Sequence, residues 1–200
     1  RRQEPFEKRK DLVMEYPVSE SESEEGNSYL AYSTVVGDAS DVLTGTAFEV
    51  LDYALLSAPG APLKQALLDA QIGMDVYGSY DDGIMQPYFD IVAKGTDPDK
   101  KEKFVEIIRT TLEDIAANGI DRKALDAGIN CMEFRYREAD FSSWPKGLMY
   151  SLAVFGNWLY SDEKAFAQVQ ALPVFEKLKE LAGQGYFEEL IRKYLLDNTH

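Results

Sequence analysis

Apolar side chains recur along this chain in two ways, as short runs between turn formers and as stripes spaced three and four residues apart. Residues 28–37 (SYLAYSTVVG) are rich in aromatic and β-branched side chains and are bounded by turn formers, which predicts a strand. A short strand is also predicted over residues 11–18, and the acidic, glycine-bearing stretch 19–27 after it reads as a loop. Residues 74–80 and 85–94 are extended runs around Asp81, Asp82 and Gly83, a turn composition that predicts a β-hairpin. Pro87 has no amide to give to a ladder, so it belongs at an edge, a bulge or an outward-facing position.

The stripes predict helices. Asp41 can cap one in which Leu43, Ala47, Leu51, Ala54 and Leu55 share a face. That helix must stop near Ser57, because Pro59 and Pro62 lack the amide donor and restrict the residues before them. A shorter helix follows over residues 63–70. Asp97 and Pro98 supply an N-cap and a first-turn proline for a helix with the stripe Phe104, Ile108, Thr111, Leu112 and Ile115, ending at Gly119. Another starts near Asp121 with Leu125, Ile129, Met132 and Tyr136 on one face, and a third covers residues 145–160 with Leu148, Leu152, Phe155 and Leu159. Residues 175–182 and 186–196 predict two more, separated by Gly183 and Gly185. Strands, helices, a hairpin and then a run of helices point to an α+β fold with a mostly antiparallel sheet covered on one face by helices.

Composition narrows the function classes. With 200 residues, 45% apolar and 28% charged, the chain can bury one substantial core and is too apolar to be disordered. Residues 1–27 read as a lead-in strand and acidic loop of linker character, and residues 28–200 as a single domain. A net charge of −14, with basic residues scattered, argues against nucleic acid as a partner. The charge is either solvated surface or a field that attracts basic peptides. No apolar run approaches the roughly 20 residues needed to cross a bilayer, and the lone Cys131 rules out an internal disulfide framework. Both fit a soluble, cytoplasmic protein without a membrane partner.

Much chemistry is excluded. With one histidine, His200, and one cysteine, no zinc site of nitrogen and sulfur ligands can be assembled within the chain, and a catalytic triad would have to be built on the last residue. Glu20, Glu22, Glu24 and Glu25 lack the alternation and glycine of a calcium loop, so they read as a solvated loop. Asp81 and Asp82 read as turn residues rather than as an acid and base. Glu133 with Arg137, and Arg135 with Glu138, have the spacing of intrahelical ion pairs. Trp144, Tyr150, Phe155, Trp158 and Tyr160 read as core or interface packing, with a ligand pocket as the alternative.

Residues 58–73 (APGAPLKQALLDAQIG), 133–138 (EFRYRE), 146–148 (KGL), 158–162 (WLYSD) and 186–200 (YFEELIRKYLLDNTH), taken in order, resemble the presequence-protease branch of the pitrilysin/insulinase family of zinc metallopeptidases. The resemblance implies a LuxS/MPP-like α/β unit, the second and non-catalytic domain of the N-terminal half. Such proteins close as a clamshell around a chamber in which unfolded peptides are cut. The family's H-x-x-E-H zinc motif is absent here, so the resemblance implies an inactive wall whose parent holds zinc in another domain. Its implied partners are the parent's remaining domains and extended or unfolded peptides. An alternative from another class is a catalytically silent homologue acting as an assembly subunit; an H-x-x-E-H motif upstream in the parent separates the two. The resemblance further implies a peptide-anchoring site at Gly60 and Ala61 with the strand containing Tyr77, Gly78 and Ser79. Gly78 would let another backbone approach closely, or it relieves crowding or marks a bulge.

Overall fold

The computed structural model describes residues 2–21, 23–139 and 141–200. Among them three strands, β1 (Ser28–Val35), β2 (Asp75–Asp81) and β3 (Tyr88–Thr96), form one antiparallel sheet in the order β1-β3-β2. The central strand registers Ile91 against both Tyr32 and Gly78. Pro87 precedes the first residue of β3, where no ladder donor is lost, and its carbonyl instead accepts from the Val36 amide at 2.7 Å. Alternation along the strands buries Tyr32, Thr34, Val76, Phe89, Ile91 and Ala93 on one face and leaves Tyr29 and Tyr77 exposed on the other.

Helix α1 (Val42–Asp52) lies on the buried face and is capped as predicted, the Asp41 carboxylate accepting from the Thr44 amide at 3.1 Å. Phe48 projects from it into the sheet, its ring 5.5 Å from Phe89 and 6.1 Å from Tyr80. A widened π-type turn, Tyr53–Ser57, continues α1 before the chain becomes extended at Ala58. Helix α2 (Pro62–Asp69) follows. Helix α3 (Lys101–Asn118) buries Phe104, Ile108, Leu112 and Ile115 and ends at Gly119, whose φ of 93° suits glycine. Asp97 does not cap it: a short 3-10 turn intervenes, and the Asp97 carboxylate accepts from the Gly26 amide at 2.7 Å. Helix α4 (Arg122–Glu138) is capped by Asp121 through the Lys123 amide at 3.0 Å. Helices α5 (Lys146–Trp158), α6 (Leu172–Leu181) and α7 (Tyr186–Leu190, extended by the wide turn Ile191–Leu196) complete the layer.

Residues 11–18 are not a strand. Leu12, Val13 and Met14 are 83%, 90% and 86% exposed, and this stretch has no ladder partner among the described residues, without which an extended segment leaves its amides to water. The N-terminal segment is held by side chains instead: the Arg9 guanidinium lies 4.2 Å over the Tyr32 ring and donates to the Leu195 carbonyl at 3.0 Å. The C-terminal tail packs beside β1, with the Val35 amide donating to the His200 carbonyl at 2.9 Å and the His200 ring edge-on to Phe6.

Candidate functional site

Of the five residues singled out by the resemblance, Tyr77, Gly78 and Ser79 lie in β2, and Gly60 and Ala61 lie in the connection between the wide turn after α1 and α2. The strand order leaves the outer edge of β2 without a strand partner among the described residues. Tyr77 and Ser79 point to the open face. Leu56 abuts Gly78 and Lys64 pairs with Asp75 at 3.0 Å, so the segments on either side of the turn bearing Gly60 and Ala61 both touch β2. Gly60 takes a φ of 72°, and the Ala61 amide closes the turn on the Ala58 carbonyl at 3.0 Å.

Gly78 faces the helices, and a β-carbon there would overlap the Asp52 carboxylate and the Leu56 side chain. The register of β2 with β3 is unbroken at this point, so there is no bulge. Glycine is required because the wide turn ending α1 packs directly on the strand. The close approach is made by the domain's own helix.

A second feature is a cavity of about 320 Å³ enclosed by the start of α1, the β2–β3 hairpin, α4, α5 and the turn around residues 168–171. Val42, Met132, Phe141, Tyr150, Val169 and Phe175 supply an apolar and aromatic wall. Against it stand Glu49, Tyr80, Asp82 and Arg135. Water reaches Glu49 through the mouth, yet protein rings most of its carboxyl group; this crowding, reinforced by the Asp82 charge, pushes its pKa up to about 7. The same crowding, with Asp82 and Glu49 nearby, raises the pKa of the Tyr80 hydroxyl. Among the described residues the Glu49 carboxylate has no hydrogen-bond or ion-pair partner within bonding distance. Asp82 accepts from the Gln168 amide.

The hairpin acids therefore divide. Asp81 is turn chemistry, accepting from the Gly83 amide at 2.9 Å and the Tyr88 hydroxyl at 3.0 Å, whereas Asp82 faces the cavity. Glu133 pairs with Arg137 at 2.6 Å as its spacing predicts, and Lys179 of α6 adds a second bond at 2.6 Å. Arg135 lines the cavity and forms no ion pair with Glu138 among the described residues. Glu20, Glu24 and Glu25 are exposed, and Glu22 lies outside the described residues. No group of three or more His, Cys, Asp or Glu is placed to hold a metal among the described residues, and no described helix is long and apolar enough to cross a membrane.

The third feature is the outer face of α5. Leu148, Leu152, Phe155 and Leu159 are 45%, 53%, 52% and 73% exposed, and Trp144 and Trp158 lie open beside them. Phe155 and Trp158 stack at 6.0 Å, each about half exposed. The aromatic cluster is thus not core; a contiguous apolar face of this size marks an interaction surface.

Comparison with known proteins identifies the family. Residues 3–131 match the family described as the peptidase M16 inactive domain. The chain belongs to the peptidase M16 family. Protein HypA of Clostridium perfringens is 40% identical over 198 residues, spanning 99% of this chain and 20% of that protein. Presequence protease 1, chloroplastic/mitochondrial, of Arabidopsis thaliana is 30% identical over 195 residues, 94% of this chain and 18% of that protein. The M16 domain thus spans about a fifth of the length of these relatives. In fold it resembles the inactive peptidase domain of a protein assigned as a zinc protease from Bordetella parapertussis, with a TM-score of 0.62, 13% identity and coverage of 84% and 87% of the two chains. The M16 fold has the α+β architecture expected from the sequence. The cavity escaped sequence reasoning because its residues come from separate segments of the chain; the local signals were Tyr150, for which a ligand pocket was the alternative reading, and a second aspartate in the hairpin turn.

Proposed function

We propose that this M16 domain is a non-catalytic wall of the peptide chamber of a larger zinc-dependent endopeptidase, with residues 28–200 acting as one unit and the zinc held by another domain. The observation that carries the reading is the unpartnered apolar face of α5 on a domain whose family is the inactive M16 unit. A face of this kind is what a wall presents to the domains it packs against. The described residues offer no ligand set for zinc, so no step through a metal is assigned to them. The open edge of β2 gives the wall a way to hold extended peptides: unpaired strand amides and carbonyls bind backbone with little demand on side chains, Tyr77, Gly78 and Ser79 belong to that strand, and Gly60 and Ala61 complete the proposed anchoring site. A soluble, cytoplasmic setting fits this role.

The test uses the full-length protein. Deleting residues 28–198 is expected to abolish turnover of a long unfolded peptide while zinc content by metal analysis is retained, because a chamber without one wall cannot position substrate. Near-normal turnover in the deletion, or absence of turnover in the intact protein, overturns the reading. Edge pairing is checked separately with long peptides methylated at alternate backbone amides, which are expected to bind more weakly than their unmethylated parents.

A further inference from the structure

We infer that the cavity between α1, the β2–β3 hairpin, α4 and α5 is a binding site for a basic side chain, of lysine or arginine type, carried by a peptide. Its volume of about 320 Å³ is at the lower end of the range of ligand-holding clefts, roughly 300–1,000 Å³, and its make-up is that of such clefts: apolar and aromatic walls with a few convergent polar groups. The polar groups set the sign. Glu49, Asp82 and Asp41 line it, against the single guanidinium of Arg135, so the hollow is net negative.

Two carboxylates held near each other among low-dielectric walls repel, and no cation of the domain lies within bonding distance of either among the described residues. An incoming ammonium or guanidinium relieves that repulsion. Its methylene stem matches Val42, Met132 and Val169, and Tyr136, Phe141 and Tyr150 add aromatic lining of the kind that attracts a cation. An anion finds one arginine against three acids, and an uncharged apolar group leaves Glu49 and Asp82 uncompensated. The site lies apart from the β2 edge and stands or falls independently of pairing there.

Binding is coupled to protonation. Glu49, pushed up to about 7 by crowding and by Asp82, is partly protonated at neutral pH, and a bound cation favours its charged form. The groups facing it are Asp82 and Asp52, which raise its pKa, and Arg135, which lowers it; Tyr80 stands beside it and remains neutral. The one histidine, His200, packs against Phe6 at the C-terminal tail and is not part of the cavity.

The experiment titrates the 200-residue chain, followed by NMR or calorimetry, with Nα-acetyl-lysine amide, Nα-acetyl-arginine amide and the uncharged Nα-acetyl-norleucine amide. The expected result is that at least one basic probe binds with a Kd of about 1 mM, about tenfold tighter than norleucine. Glu49→Gln is expected to remove about tenfold of that affinity, and wild-type affinity should fall between about pH 8 and about pH 6 while that of the variant stays flat. Asp82→Asn provides a second loss, and Ala153→Phe, which fills the hollow from α5, abolishes binding of every probe; a native-like NMR spectrum and a cooperative thermal unfolding transition certify each fold. Equal binding of norleucine, no binding of either basic probe, or unchanged affinity in both carboxylate variants overturns the assignment.

Discussion

Helices α3 and α5 carry apolar stripes of the same spacing and meet opposite surroundings. Phe104, Ile108, Leu112 and Ile115 of α3 are between 0% and 7% exposed, packed against α2, α7 and its wide terminal turn. The corresponding stripe of α5 remains about half in solvent, and α5 leans chiefly on the turns 162–164 and 168–170. The one residue α5 buries is polar: Asn157, 1% exposed, with both side-chain amide atoms lacking a partner among the described residues. Periodicity defines which face of a helix is apolar and says nothing about what covers it. A stripe that finds no partner inside its own domain is where the domain meets another surface.

The sharpest test of this contrast is a pair of matched truncations. Phe104→Ala is expected to cost about 3–5 kcal/mol in denaturant unfolding, and Phe155→Ala under about 0.5 kcal/mol. Comparable losses at the two positions would mean that α5 is core. In the intact parent, by contrast, Phe155→Ala should weaken inter-domain packing, read as increased protease sensitivity. The sheet side of the domain offers a smaller effect: Gly78→Val forces a branched side chain against Asp52 and Leu56 and should destabilise by about 1–3 kcal/mol. A loss below that range would mean that α1 yields easily and that crowding does not explain the glycine. On α5, Asn157→Leu replaces an unpartnered buried amide with a hydrocarbon of similar size and should stabilise by about 1 kcal/mol; a net loss would reveal a hydrogen bond to ordered water.

The smallest effects are pH slopes, and they have opposite signs in the two regions. Bonds from Lys179 and Arg137 hold the Glu133 pKa below its ordinary 4.5, so its stabilisation is present above that value and is lost as pH falls through the lower folded value. Glu49 is pushed up to about 7 from 4.5, so its contribution is present below the lower value and is lost as pH rises between the two. Urea unfolding of the wild type, Glu133→Gln and Glu49→Gln across this range checks both. Relative to Glu49→Gln, wild-type stability should decline toward neutral pH; relative to Glu133→Gln, it should decline in acid. Parallel curves would remove the cavity's influence on Glu49.

What the sequence determined by itself was local. Asp41 and Asp121 as caps, Gly119 as a stop, the hairpin around Asp81 to Gly83 and the α3 stripe depend on interactions within a few residues, and each is present as read. Only the tertiary structure decided the rest. Residues 11–18 have a strand's composition but no ladder partner among the described residues, and pairing is a property of two segments. Asp97 has a cap's position, yet the amide of Gly26 reaches its carboxylate from a distant loop. The wide turn Tyr53–Ser57 packs against Gly78, which is more than 20 residues away along the chain. Glu49, Asp82 and Arg135 became cavity groups because α1, the hairpin and α4 converge, a proximity that no spacing along the chain encodes.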